Sequence, residues 1–407
     1  MSRPEYRGGL RRWTGTTEEW ATCVLCCVFV MVLCSVCFGA ASERDVTGPV
    51  ETPYPRVAML WSPIRGERSV ESMTRHDLIM GGVGRFGLRY DREPTGLAEA
   101  FTADSIARAR EGIAEMRRLN RDVVILVELY FYEYRESWLP ADHPWWLRKD
   151  GKRQQFWPGT YRMDWSNPEY RHHVVKLTKA LEQIGFDGVF YDNLRDEPEP
   201  WVVFLKEVRR VASDDFLILA NAGYAVGRHD FAAPYLNGMM YESGWSHERA
   251  EWEDCIAKMQ HTQTLLREPK ISLIERFEEI RSRAGWPGDA KRGQKPPADP
   301  QARRWSLCYA LAVGDFYYLF SDNTSHRHDW YPEYDLKIGL PTGPGERVGP
   351  HVWRRQYEKA MVVVNLPGAS VPHEVRLERR AKDSLTGRTG TEFVIKPADG
   401  AILVVQK

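Results

Sequence analysis

Residues 185–193 read Gly-Phe-Asp-Gly-Val-Phe-Tyr-Asp-Asn. A short apolar run, opened by glycine and stopped by Asp192, has the length of a buried strand and is too short for a helix. The segment before it, Pro168–Ile184, repeats its apolar residues at helical spacing, with Ser166 or Asn167 placed as N-cap and Pro168 in the first turn. Pro200–Val211 repeats the helical pattern beyond it. Helix, buried strand and helix in this order define a parallel βα unit.

Working outward, the same alternation recurs. Strands are expected at Arg56–Trp61, His76–Met80, Asp122–Tyr130, Phe216–Ala220, Leu236–Glu242, Ile271–Glu275 and Phe316–Phe320. Further helices are expected at Ala103–Leu119, Glu248–Leu266 and Gln301–Val313. With Gly185–Asp192 the strands number eight, which predicts an α/β fold, a (β/α)8 TIM barrel over residues 54–322. Residues 323–350, rich in Pro, Gly, His and Asp, read as a connecting loop, and 351–407 as a small β-sandwich-like domain of short strands and turns. Gly285–Pro300 reads as a polar loop.

The 56 basic and 56 acidic residues balance, so charge offers no reason to expect nucleic acid as a partner. Ala21–Ala41 is an uncharged apolar run behind Arg3, Arg7, Arg11 and Arg12, and it ends in Gly39-Ala-Ala-Ser42. Residues 1–42 therefore read as a signal peptide or a membrane anchor, with possible membrane attachment through residues 21–41. Either way the rest of the chain is expected outside the cytoplasm: secreted, periplasmic or anchored. Five of the seven cysteines fall in that run; Cys255 and Cys308 are expected to be buried free thiols.

Barrel enzymes place their chemistry at the C-terminal ends of the strands. Here those ends carry Glu128, Asp192 with Asn193, Asn221, Glu242, Glu275 and, just beyond the last strand, Asp322. A buried strand that stops on a carboxylate is costly unless the charge is paired or used. Cleavage of a glycosidic bond needs one protonated carboxyl for the leaving oxygen and one ionised carboxylate as nucleophile or base. Asp192 and Glu242 are the candidate catalytic pair. Glu128 and Glu275 are candidates to orient substrate or to hold an arginine such as Arg276 or Arg162. Asp187 is expected to cap or pin a turn, and Asp164 either to shape a turn and the start of its helix or to take part in the site.

Five tryptophans, Trp138, Trp145, Trp146, Trp157 and Trp165, crowd the loop after the third strand, and Tyr130, Tyr132 and Tyr134 lead into it. Indoles pack on the flat C–H faces of sugars, but they also supply a long loop with its own core. Candidate substrate contacts are Glu128, Tyr130, Asn193, Asn221, Tyr241, Trp245, Glu275, Trp61 and Trp157. Lys149-Asp-Gly-Lys152 reads as a hairpin tip.

Met163-Asp-Trp-Ser-Asn-Pro-Glu-Tyr-Arg171, followed by Ile184-Gly-Phe-Asp-Gly-Val-Phe-Tyr-Asp-Asn193, resembles the pattern of glycoside hydrolase family 114 and, most closely, of the group called hypothetical glycoside hydrolase 15. The resemblance extends to Tyr334-Asp-Leu-Lys-Ile-Gly-Leu-Pro341 and Trp353-Arg-Arg-Gln-Tyr-Glu-Lys-Ala360, and so covers most of residues 55–407. It implies a catalytic Asp after strand four and a Glu farther along, which fall on Asp192 and Glu242. Family 114 enzymes cleave α-1,4-linked galactosamine polymers. That substrate is not carried over, because likeness outside the strand-four block is weak.

Gly82-Val-Gly-Arg-Phe-Gly87 matches a dinucleotide fingerprint, but the text after it is not helical. No H-E-x-x-H pattern and no G-x-S-x-G elbow occurs, so neither metal, cofactor nor acyl transfer is expected. The sequence thus leads to an exported glycoside hydrolase acting on an oligo- or polysaccharide, with a retaining mechanism by analogy. The alternative is a catalytically inactive glycan-binding barrel at the cell surface.

Overall fold

The computed structural model describes residues 52–223, 225–243, 252–277, 299–321 and 325–406. Eight parallel strands close a barrel: β1 (Arg56–Leu60), β2 (Leu78–Gly82), β3 (Val124–Glu128), β4 (Gly188–Tyr191), β5 (Leu217–Gly223), β6 (Gly238–Ser243), β7 (Leu273–Phe277) and β8 (Tyr317–Ser321). Neighbours in sequence are neighbours in the barrel, and β8 closes on β1. Helices α1 (Ala103–Leu119), α2 (Pro168–Ile184), α3 (Pro198–Val211), α4 (Trp252–Leu265) and α5 (Pro300–Val313) belong to the helical layer. This is the (β/α)8 barrel expected from the alternation. The apolar run 21–41, residues 285–298 of the polar loop, Trp245 and Asp322 lie outside the described residues. Among the described residues no helix is long and apolar enough to cross a membrane. Cys255 and Cys308 are buried free thiols.

The strand-four motif is explained residue by residue. Asn167 caps α2 by accepting from the amides of Glu169 and Tyr170. Gly185 ends it at φ 111, a left-handed conformation that costs glycine little. Asp187 accepts from the Ile125 amide at 2.8 Å and pairs with Arg117 at 2.7 Å, so it ties β4 to the neighbouring strand and to α1. Gly188 faces the crowded barrel axis, where a Cβ would come within 2.2 Å of the Leu217 carbonyl oxygen.

Strand alternation sorts the remaining residues into two sets. Ala58, Leu60, Leu78, Met80, Val124, Leu126, Phe190, Leu217, Leu219, Met240, Leu273 and Leu319 form the inner core of the barrel. Val57, Met59, Ile79, Ile125, Val189, Ile218, Met239 and Ile274 belong to the outer core, shared with the helices. The inward phase, continued two residues past Leu126, Phe190, Leu219, Met240, Leu273 and Leu319, lands on Glu128, Asp192, Asn221, Glu242, Glu275 and Ser321. One rung above an apolar floor, the same strands turn polar.

The C-terminal part is a six-stranded antiparallel sheet: β9 (Glu346–Gly349), β10 (Val352–Gln356), β11 (Met361–Asn365), β12 (His373–Asp383), β13 (Thr389–Ile395) and β14 (Asp399–Val405). Its order is β9-β10-β11-β14-β12-β13. Val362, Val364 and Ile402 join the core of the barrel helices, while Val363, Val375, Phe393 and Ile395 form a second small core on the other face. Arg304 on α5 holds Asp399 with two hydrogen bonds, at 2.8 and 2.9 Å.

Candidate active site

The polar rung opens into a cavity of about 1470 Å³ at the C-terminal mouth of the barrel. Such a volume exceeds the roughly 300–1,000 Å³ typical of small-molecule sites and leaves room for more than one sugar ring. Asp192 and Glu242 both line it. Asn221 joins them: its side-chain NH₂ donates to Asp192 Oδ1 at 2.8 Å and to Glu242 Oε1 at 3.1 Å. Two hydrogen bonds from one nitrogen keep those oxygens within about 6 Å of each other. The Asn221 carbonyl oxygen accepts from the Gly223 amide at 2.8 Å, which turns the NH₂ toward the carboxylates. Here the β5–β6 register slips, with Met240 opposite Asn221 and Tyr241 opposite Gly223. Irregularities of this kind re-aim side chains beside active sites.

Asp192 is embraced further by Asn193, whose NH₂ lies 2.9 Å from Asp192 Oδ2 and 3.3 Å from both oxygens of Glu133. Asn193 sits at φ 60, which asparagine tolerates. Trp61 at φ 48 and His326 at φ 55 share that rare left-handed region, and both line the cavity. Their rings lie against each other at 4.3 Å, and Trp61 meets Phe190 edge-on at 5.4 Å. Bulky residues in this conformation cost on the order of 1 kcal/mol or more each and persist where surrounding contacts impose them.

Burial raises the carboxyls of the floor. It pushes Glu128 up to about 8, with the charge of Asp192 adding to the effect. Glu133 is pushed up to about 8 for the same two reasons. Burial and the neighbouring Glu275 push Glu242 up to about 7. Burial also lifts Asp192, although the hydrogen bonds from Asn221 and the Asn193 amide favour its ionised form. Burial would lower His326, but Glu275, Glu242 and Asp192 outweigh it and hold the imidazole above the usual histidine range.

Trp61, Glu128, Tyr130, Trp157, Asn193 and Asn221 all line the same cavity. Two other candidates do not. Tyr241 belongs to the outward phase of β6, one residue from Glu242. It is buried in the helical layer against Phe316, so its expected substrate contact is corrected. Glu275 lies on the inward phase but is sealed below the cavity, accepting from Ser321 at 2.6 Å and facing His326 Nδ1 at 3.0 Å. It holds His326 from beneath and is not part of the cavity lining. Neither Glu128 nor Glu275 holds the arginines considered for them: Arg162 pairs with Glu197 at 2.8 Å, and Arg276, pointing outward, stacks on Trp305 at 4.9 Å. Trp245 lies outside the described residues.

The aromatic loop divides similarly. Trp146 is buried, with its indole N–H on the Pro140 carbonyl, and Trp165 packs on Tyr132 and Trp201. Trp138 and Trp145 pack on Tyr134 and Tyr170. Trp157 alone of the five lines the cavity, 42% exposed. Lys149 and Lys152 flank a tight hairpin turn, with Asp150 and Gly151 at φ 51 and 73.

Sequence reasoning missed Glu133, His326 and Arg195. Glu133 sits in a short strand, Glu133–Arg135, paired with Thr160–Arg162 above the barrel mouth. A lone carboxylate within Tyr130-Phe-Tyr-Glu-Tyr134 was the available signal, since aromatic neighbours bury it. His326 and Arg195 come from loops whose paths no periodicity reveals.

A (β/α)8 barrel whose C-terminal mouth holds paired carboxylates and aromatic walls is a barrel of the glycoside hydrolase class. The chain belongs to hypothetical glycosyl hydrolase family 15, which matches residues 130–361, more than half of its length. No curated protein matches the sequence. Among solved structures the fold is similar to a GH27 β-L-arabinopyranosidase from Geobacillus stearothermophilus, at 11% identity and TM-score 0.57, covering 88% of this chain and 97% of that one. It is similar also to the type III pullulan hydrolase from Thermococcus kodakarensis, at 13% identity and TM-score 0.50, covering 90% and 79%. A weaker likeness, TM-score 0.42 at 13% identity, is to the glycoside hydrolase domain of PelA from Pseudomonas aeruginosa, covering 70% and 98%.

Proposed function

We propose that this protein hydrolyses a polysaccharide by a retaining mechanism, with Asp192 as nucleophile and Glu242 as acid and base. The observation that carries the reading is the single Asn221 amide bridging both carboxylates. A separation within about 6 Å suits the roughly 5–5.5 Å of retaining enzymes better than the 6.5–9.5 Å that inversion requires. The roles follow from environment. Asp192 accepts from two asparagine side chains, which favours the charged form needed for attack. Glu242, lifted to about 7, keeps a proton to give near neutrality.

In the first step an Asp192 oxygen bonds to the anomeric carbon as the glycosidic C–O bond breaks, and Glu242 protonates the departing oxygen. In the second, Glu242 takes a proton from water, whose oxygen displaces Asp192 and restores the starting configuration. Trp61 and Trp157 offer the apolar faces on which sugar rings pack. Export remains part of this proposal. It rests on the apolar segment Ala21–Ala41 and its basic lead.

Hydrolysis of a glycan panel by the wild type, D192N and E242Q tests the reading. Both variants are expected to fold and to lose turnover. Turnover that survives D192N would remove Asp192 from the mechanism. Glycan binding by the wild type with no turnover at any pH would make the barrel a binding protein.

A further inference from the structure

Glu128, Asp192 and Glu242 rise from the ends of barrel strands, whereas the mouth of the same cavity is ringed by cations from the segments that follow those strands. Arg135 follows β3, Arg195 follows β4, Arg228 follows β5 and Arg327 follows β8, and all four line the cavity. Among the described residues none of the four has a carboxylate at ion-pairing distance. Several guanidiniums elsewhere are matched, among them Arg171 with Glu207, Arg303 with Glu333, Arg304 with Asp399 and Arg355 with Asp315, while Arg110 and Arg209 donate to backbone and amide oxygens instead. On the rim Asp254 is taken by Lys258 at 2.6 Å, which leaves Asp196 as the opposing acid.

Charge compensation of the floor would be the simplest role for these arginines. That role is partial: Arg135 draws Glu128 down and Arg195 draws Glu133 down, yet burial outweighs both and leaves the two carboxyls pushed up to about 8. Arg195 is also fixed in its pose at the cavity wall. Its guanidinium packs over Tyr132 and Phe156, at 5.8 and 5.1 Å, and donates to Asn193 Oδ1 at 3.0 Å. Its Nε is buried without a hydrogen-bond partner, as is Nδ1 of His229, a cavity-lining residue only 3% exposed.

We propose that the mouth of the cavity binds an anionic glycan, one bearing carboxylate or sulfate groups, through Arg135, Arg195, Arg228 and Arg327. Guanidinium forks match both oxyanions in charge and geometry. The inference deepens the glycosidase reading by naming the substrate class of the same site. Sugar rings would lie on Trp61 over the carboxylates while their acidic substituents reach the rim.

The test uses the full-length protein with polygalacturonate, chondroitin sulfate, carboxyl-reduced polygalacturonate and chitosan, scored for retention in affinity gels and for reducing ends released. At least one of the two polyanions is expected to be retained about tenfold more strongly than the neutral and cationic polymers, and less so as salt rises. Polygalacturonate and chondroitin sulfate separate carboxylate from sulfate recognition. R228E/R327E, which alters two exposed side chains, should abolish that preference without lowering Tm. A polyanion retained but not cut supports the anionic site and counts against hydrolysis. A neutral or cationic polymer cut while both polyanions are refused leaves the hydrolase standing and overturns the anionic site. Equal retention of all four, retention of none, or a preference untouched by the charge reversal overturns it too.

Discussion

Asp187 and Asp192 stand at opposite ends of one strand and live in opposite ways. At the N-terminal end Asp187 accepts a backbone amide from β3 and is neutralised by Arg117. Asp77, in the turn leading into β2, likewise accepts the Val57 amide at 2.7 Å, and Asn237 before β6 accepts the Ile218 amide at 3.0 Å. These polar groups close the bottom of the barrel. At the other end Asp192 and Glu242 share one neutral amide, and among the described residues no arginine is bonded to either. The lesson is that burial alone does not mark a functional carboxylate in this fold. What distinguishes the candidate pair is burial without an ion pair to an arginine or lysine among the described residues.

That contrast is broken most severely by matched substitutions at the two ends. D192N should lower kcat/KM by about 10³-fold or more with little change in Tm. D187N should cost roughly 3 kcal/mol of stability by stranding Arg117, and leave activity per folded molecule close to wild type. Thermal melts and kinetics on both variants check this. Next in size is N221A, which removes the shared donor. It should reduce kcat by about 10–100-fold with KM little altered, because the carboxylates lose their common orientation.

The third prediction concerns pH. Glu128 and Glu133 hold their protons in the folded protein up to about 8, against an ordinary value of 4.5. Their neutral forms contribute stability that is fully present below about 4.5 and is lost as pH rises through about 8. E133Q, fixed in the neutral form, should therefore leave Tm nearly unchanged at pH 4 and raise it by roughly 5 °C at pH 8. A flat difference across that window would contradict the assignment.

The smallest effect is expected in the aromatic loop. W157A should raise KM for long glycans about threefold, the scale of one ring contact. W146A, inside the loop core, should instead lower Tm.

All eight strands were legible because apolar runs bounded by turn residues report burial directly. That Asp192 and Glu242 meet in one cavity was legible because each ends such a run. Tyr241, a candidate substrate contact by sequence, is adjacent to Glu242 and therefore points the other way, since strand residues alternate. Continued through Met240, the inward phase selects Glu242 and excludes its neighbour. Glu133 and His326 stayed hidden for a different reason. A left-handed loop residue and a three-residue strand above the barrel leave no period to read. The tryptophans show the limit of composition, since four of the five build the loop and only Trp157 faces the cavity.

The central claim is that Asp192 attacks an anomeric carbon beside Glu242. Incubation with a 2-deoxy-2-fluoro glycosyl fluoride of the sugar the enzyme releases, followed by peptide mass spectrometry, tests it directly. The account predicts a single glycosyl adduct on the peptide containing Asp192, absent from D192N. Continued turnover with no adduct, or an adduct on another residue, would contradict it.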